Sequence, residues 1–196
     1  PHVVAWSDGG LLDDGRLWLA APLVGEATLS EHIERSSGLS ATEAVGVIRQ
    51  LGSAVAAIHN QQGVHGFLCG EFVRLTMASE GTFSVHVYGH GVADLLPAYN
   101  PLDRDGIFGG HPEYMAPELC RGEPGQAASD LYSVGCLMYE AIRGRTPFAP
   151  RSSRSGFSTT MKRHQVENPI ALHVRYGSMA YIEPYEAIAL AALSKT

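Results

Sequence analysis

The 196-residue sequence is short of charge: only 17% of its residues are Asp, Glu, Lys or Arg, against about 25% in an average globular protein. Positive charge is the scarcer sign. Lysine and arginine total 14 against 20 acidic residues, a net of −6, which argues against nucleic acid or an anionic membrane surface as the main partner. Lys162 and Lys195 are the only lysines. Cysteine occurs three times, as Cys69, Cys120 and Cys136. An odd number at such wide spacing makes neither a disulfide framework nor a CxxC metal site, so a reducing, cytoplasmic compartment is the expectation. No apolar run approaches the roughly 18 residues that read as a membrane span, and the start carries no signal-peptide pattern. What is plentiful argues against disorder. Hydrophobic residues make up 45%, enough for the core of one domain, and 22 glycines and 11 prolines imply many turns.

Along the chain, Val3, Val4 and Trp6 read as a strand ending in a turn at residues 7–10. Residues 16–21 read as a buried strand stopped by Pro22, the two making a hairpin around a turn at 13–15. Residues 28–35 are a short helix candidate. Ser40 and Glu43 have the spacing of a capping box. Ala44, Val47, Ile48, Leu51, Ala54, Val55 and Ile58 then step by three and four, which predicts a helix with one buried stripe, ending near Gly63. Residues 73–77 and 84–88 read as a second hairpin around 79–81. Residues 89–114, rich in glycine and proline and without periodicity, form a long loop of the kind that carries function. A second strong helix is expected at 129–143. Ser129 and Asp130 cap it, Leu131, Val134, Leu137, Met138, Ala141 and Ile142 line it, and Gly144 stops it. A polar loop at 152–158 and shorter helices at about 160–167 and 184–193 follow.

Several strings carry a resemblance. Gly110-His-Pro-Glu-Tyr-Met-Ala-Pro-Glu118 resembles the Gly-Thr-x-x-Tyr-x-Ala-Pro-Glu segment that closes the activation loop of protein kinases. Ser129-Asp-Leu-Tyr-Ser-Val-Gly-Cys-Leu-Met-Tyr-Glu140 resembles helix F of that fold, and Gly144-Arg-Thr-Pro-Phe148 its sequel. Ile58-His59 and Gly63-Val64-His65 resemble the approach to the catalytic loop, and Pro1-His-Val-Val-Ala the strand after helix C. The match is collinear over essentially the whole chain, closest in style to the bacterial serine/threonine kinases. It implies an α+β, protein-kinase-like fold. Residues 1–25 would be the end of the N-lobe and the hinge. Residues 26–196 would be the mainly helical C-lobe without its C-terminal helices. Ala116, Pro117, Glu118 and Asp130 fall on structural motif positions, Asp130 as the anchor of the catalytic-loop backbone. The Arg that meets Glu118 in the family lies beyond Thr196 on this register, so Glu118 has no expected partner.

The resemblance breaks where kinases carry their chemistry. The family places a carboxylate beside the substrate hydroxyl in a His-Arg-Asp string; here the string is His65-Gly66-Phe67. The following Lys-Pro becomes Cys69-Gly70, and the magnesium-binding Asn becomes Phe72. Asp-Phe-Gly becomes Gly89-His90-Gly91, and the Thr of the Gly-Thr pair is His111. Loss of a positioned general base alone costs about 10²–10⁴-fold. Loss of both magnesium ligands removes the charge neutralisation that phosphoryl transfer relies on. The resemblance therefore implies a catalytically inactive, pseudokinase-like module that binds proteins as a scaffold or regulator. Its partner would be an active kinase or the rest of its own chain.

No cofactor is expected on this reading. No GxGxxG occurs, and in the family the Gly-rich loop and the strand lysine precede helix C. The hinge, Ala21-Pro22-Leu23-Val24, leaves Ala21 and Leu23 as weak candidates for adenine contact. Pro22 lacks an N–H, and Arg74 falls where the family has an apolar floor. Two alternatives stay open: an active or weakly active serine/threonine kinase using ATP and Mg²⁺, and a metal-independent nucleotide sensor. Between Gly91 and Glu118 there is no Ser or Thr, so phosphorylation of the usual kind does not order that loop. Phe67 and Phe72 either fill the emptied cleft or form an exposed patch that recruits a partner. Cys69 reads as an inert thiol and His65 as a core residue. His90 either loosens the family's buried spine or replaces it with a polar contact. A metal site from His86, His90 and His65 is conceivable but lacks a carboxylate.

Overall fold

The computed structural model describes residues 2–79, 81–92, 111–150, 156–172 and 183–195. Two helices start where hydroxyl and glutamate stand three apart. Thr28 Oγ1 accepts the Glu31 N–H at 3.1 Å while Glu31 accepts the Thr28 N–H at 2.9 Å. Ser40 and Glu43 exchange the same pair at 3.3 and 2.8 Å. Each such cap is worth about 1 kcal/mol. They open α1 (Leu29–Ser36) and α2 (Ala41–His59). α2 buries Ala44, Val47, Leu51, Ala54, Val55 and Ile58, the stripe that three-and-four spacing demands, and ends at His59, short of Gly63.

Two small sheets flank the helices. β1 (Asp8–Leu11) and β2 (Leu17–Ala20) form an antiparallel hairpin with Asp8 opposite Ala20. β3 (Ala27–Thr28), β4 (Val73–Ser79) and β5 (Thr82–Val87) form a sheet in the order β3-β4-β5, with Val73 opposite Val87. The first hairpin departs from the sequence reading. Val3 makes only a bridge to Val87, and the strand begins where a turn was expected. Gly9 and Gly10 are strand residues because cross-strand side chains lie over them: a Cβ on Gly9 would stand 2.8 Å from Leu19 Cδ2. Nor is β2 buried. Leu17 and Trp18 are exposed, since a two-stranded ribbon covers neither of its own faces.

The helical body continues with α3 (Pro117–Cys120), α4 (Ala127–Arg143), α5 (Phe157–Val166) and α6 (Glu183–Ala192). α4 is its axis, packed against α2 and α6, with Cys136, Leu137 and Ala141 fully buried. It starts earlier than its sequence suggests. Gln126 is the cap residue, and Ser129 Oγ accepts its N–H at 3.0 Å. Ser129 and Asp130 thus lie inside the first turn, both buried. Leu131, about 100° further round, is 52% exposed rather than part of the apolar face. Gly144 ends α4 in the left-handed region at φ 73°, where glycine pays no Cβ penalty. α5 also starts earlier than expected, at Phe157, and takes the end of the polar loop placed at 152–158. Most of the loop placed at 89–114 lies outside the described residues. The architecture is the expected α+β one, and among the described residues no helix is long and apolar enough to cross a membrane.

Two helical glycines should respond oppositely to a side chain. A Cβ on Gly135 would stand 2.8 Å from Ala192 Cβ and 3.3 Å from Leu193 Cγ, whereas Gly46 has nothing within 4 Å. Gly135→Val should cost about 1–3 kcal/mol by forcing α4 and α6 apart. Gly46→Ala should add about 0.5–1 kcal/mol. Urea unfolding midpoints of the two variants decide both signs.

Candidate functional site

The candidate site is built around one carboxylate. Asp130, on the first turn of α4, is 1% exposed. Its Oδ2 accepts the His65 N–H at 2.8 Å and His59 Nε2–H at 2.8 Å, and its Oδ1 accepts the Gly66 N–H at 2.9 Å. A buried charge is tolerable only when its hydrogen-bonding capacity is used in this way. Aiming two successive N–H groups at one carboxylate needs a sharp backbone turn, and Gly66 provides it at φ 78°.

His65 is fully buried. Its Nε2–H donates to the Tyr88 carbonyl at 2.7 Å, and its Nδ1 accepts the Phe67 N–H at 3.3 Å. The two partners assign the neutral tautomer, and burial pushes the imidazole below its usual pKa. Phe67, at the position of the family's carboxylate, is half-buried. It lines a void of about 10 Å³ with His111, Tyr114 and Ser133, the size of a single water position. Cys69 is buried, and burial pushes its thiol up to about 12; it is not a nucleophile at neutral pH.

Phe72 ends the short 3₁₀ turn Gly70–Phe72. Its ring meets His65 edge-on, with centroids 5.8 Å apart at 60°, and lies against Gly89. A Cβ on Gly89 would stand 2.8 Å from Phe72 Cδ1 and 3.0 Å from Cε1. Gly89 also sits at φ 85°. The two positions that supply magnesium oxygens in the resembled family are therefore face to face, one a phenyl ring and the other a bare backbone. Magnesium takes oxygen ligands and does not fit this arrangement. Among the described residues no group of three or more His, Cys, Asp and Glu side chains could hold a metal. His86 Nε2 is engaged by Thr76 Oγ1 at 3.1 Å, while His90 stacks on Trp6 with centroids 6.3 Å apart. The His90 carbonyl accepts Trp6 Nε1–H at 2.9 Å, but its ring Nδ1 is buried without a partner among the described residues. Beside it, ahead of Gly91 at φ 76°, lies a cleft of about 460 Å³ walled by Val3, Ala57, Ile58 and Val64.

At the hinge, Ala21 is half-buried and Leu23 turns its side chain to solvent, 82% exposed. The backbone groups there are taken by residues that sequence reasoning did not single out for this role. Tyr88 Oη accepts the Val24 N–H at 2.6 Å and donates to the Pro22 carbonyl at 2.7 Å. Arg74 donates from Nε to the Val24 carbonyl and from Nη2 to the Gly25 carbonyl, each at 3.1 Å. Tyr88 read only as the end of a strand; its place just before Gly89 was the available signal.

The motif segment is tied to α4. Ala116 is fully buried, and Pro117 opens α3. Glu118, for which no partner was expected, has one: its Oε1 accepts Ser129 Oγ–H at 2.5 Å. The half-exposed side chain finds a local hydroxyl instead of a distant Arg. Ser133 Oγ donates to the Tyr114 carbonyl at 2.8 Å, and the Tyr114 hydroxyl donates to Glu140 Oε2 at 2.7 Å. Burial raises the Glu140 carboxyl to about 7.

Two outcomes follow. Asp130→Ala leaves buried donors unsatisfied and should lower the unfolding free energy by about 3–5 kcal/mol, measured by urea titration. Glu140 has a folded-state pKa above its unfolded one. Its contribution is fully present below about pH 4.5 and is lost as pH rises toward 7. Glu140→Gln should abolish a pH-dependent stability difference on the order of 3 kcal/mol across that window, measured as unfolding midpoints of the two proteins from pH 4 to 8.

Comparison with known proteins accords with this frame. The protein kinase domain family matches residues 2–185. Serine/threonine-protein kinase pkn3 of Myxococcus xanthus is 30% identical over the whole chain, which spans 36% of that protein. PkaB of Streptomyces coelicolor, also named a serine/threonine-protein kinase, is 32% identical over 88% of the chain, equal to 41% of its own length. PrkC of Bacillus subtilis, likewise so named, is 28% identical over 87% of the chain and 25% of its own length. The chain thus spans less than half the length of these curated relatives. The Asp130 anchor, the Ala116-Pro117-Glu118 segment docked on α4 and the extent of the match lead to one conclusion: the chain belongs to the protein kinase domain family.

Proposed function

We propose that this chain is a catalytically inactive, pseudokinase-like module that acts in signalling by binding other proteins, as a scaffold or regulator. Its partners on this reading are an active kinase or other parts of its own protein. The observation that carries the reading is the Phe72 ring packed into the space over Gly89. It fills the space where both oxygen-bearing side chains would stand, and a side chain added at 89 alone would meet the ring. Phe67 supports the same reading, since a phenyl group accepts no proton. Fold membership alone does not decide activity, because chemistry belongs to the site and not to the framework.

The relatives' names favour the rival reading, an active serine/threonine kinase. That reading needs a carboxylate moved to the neighbourhood of Phe67. The described residues lining the void there are Gly66, Phe67, Leu68, His111, Tyr114, Met115, Leu119 and Ser133, a set with no carboxylate.

Radiolabelled phosphate transfer from ATP, with Mg²⁺ or Mn²⁺ and the full-length protein, separates the two. The expected result is turnover at background, against about 1–100 s⁻¹ for a working kinase. Metal-dependent turnover above background by the purified full-length protein would sink the proposal.

A further inference from the structure

The hinge presents a donor and an acceptor, the Val24 N–H and the Pro22 carbonyl, two residues apart and both within reach of one hydroxyl. An unpaired pair of this kind is completed by another strand or by the edge of a planar heterocycle that both donates and accepts. Here a single phenol completes it. A hydroxyl can accept one hydrogen bond and donate another at once, and the Tyr88 contacts of 2.6 and 2.7 Å lie at the short end of the range.

Tyr88 is held in this pose from behind. Its N–H donates to the Phe72 carbonyl at 2.8 Å, and its carbonyl accepts His65 Nε2–H at 2.7 Å. The residue that fills the space over Gly89 and the residue that fills the hinge are therefore bonded to each other. Arg74 completes the closure by taking the Val24 and Gly25 carbonyls.

We propose that Tyr88 is a built-in ligand of the hinge. Its phenol stands where the edge of a purine base would otherwise bind, so that the cleft is closed to adenine nucleotides and the hinge is fixed to the helical body without them. The proposal rests on reading this cleft as catalytically silent, and it adds what occupies it. Phenol and purine compete for the same two backbone groups, so only one can be bound at a time.

Hydrogen exchange at the Val24 amide tests the proposal together with equilibrium dialysis of adenosine. In the unaltered protein, millimolar adenosine should neither bind nor change Val24 exchange. Tyr88→Phe keeps the ring and removes the hydroxyl; Val24 exchange should rise about 2–10-fold, the factor that one modest hydrogen bond represents. Tyr88→Ala opens the space and should bind adenosine. Adenosine binding to the unaltered protein with protection of Val24 would overturn the proposal, as would unchanged Val24 exchange in Tyr88→Phe. A folded Tyr88→Ala that ignores adenosine would overturn the assignment of a purine-shaped site. Should Tyr88→Ala not fold, the hydroxyl deletion still decides. Adenosine binding would leave the absence of phosphate transfer standing, whereas phosphate transfer would be detected in its own assay, so the two readings fail separately.

Discussion

One buried carboxylate organises the chain. Asp130 lies on the first turn of the central helix, and its oxygens hold the backbone of His65 and Gly66 and the ring of His59. Removing a charge from water costs several kcal/mol unless its partners replace the lost hydration, so the helix and the loop at 65–66 are stable only together. From there the order is relayed. His65, oriented by that loop, bonds the Tyr88 carbonyl, and Tyr88 in turn reaches the hinge between β2 and β3. Helix, loop, sheet and hinge are joined by three side chains, Asp130, His65 and Tyr88, through hydrogen bonds.

This relay requires geometry but no phosphoryl chemistry. Three of the positions that differ from the family pattern, Phe67, Cys69 and Phe72, sit beside it and are filled by packing rather than by polar groups. Phe72 rests on His65 and Gly89, Phe67 borders a void no larger than one water, and Cys69 is sealed from solvent. Aromatic rings at these places bury area that polar catalytic groups would leave hydrated. The framework and the site are therefore separable in energy, and the family's fold persists where its usual donors and acceptors are missing.

How much of this was legible in the sequence depended on the range of the contact. The cap at Ser40 and the stripe of α2 were readable because their partners lie three or four residues away; the Thr28–Glu31 box has the same spacing and was not singled out. The Asp130 anchor was readable because the surrounding string is distinctive. The first hairpin was misplaced because Gly9 and Gly10 look like a turn; their role follows from Leu19 and Trp18 across the ribbon. Glu118 was given no partner because the only one considered was the family's distant Arg; Ser129, read as a cap residue, lies inside the helix and its hydroxyl serves both Glu118 and the Gln126 N–H. Tyr88 at the hinge went unread because its partners are 64 and 66 residues away in the chain; its place just before Gly89 marks it as close to the site but names no partner.

The contact between Phe72 and Gly89 makes two positions 17 residues apart in the sequence depend on each other. A side chain at 89 alone meets the ring and a left-handed backbone angle. A smaller side chain at 72 alone leaves a hole beside a residue with no side chain to fill it. Changes at the two positions are therefore non-additive: what each one costs is set by the residue at the other.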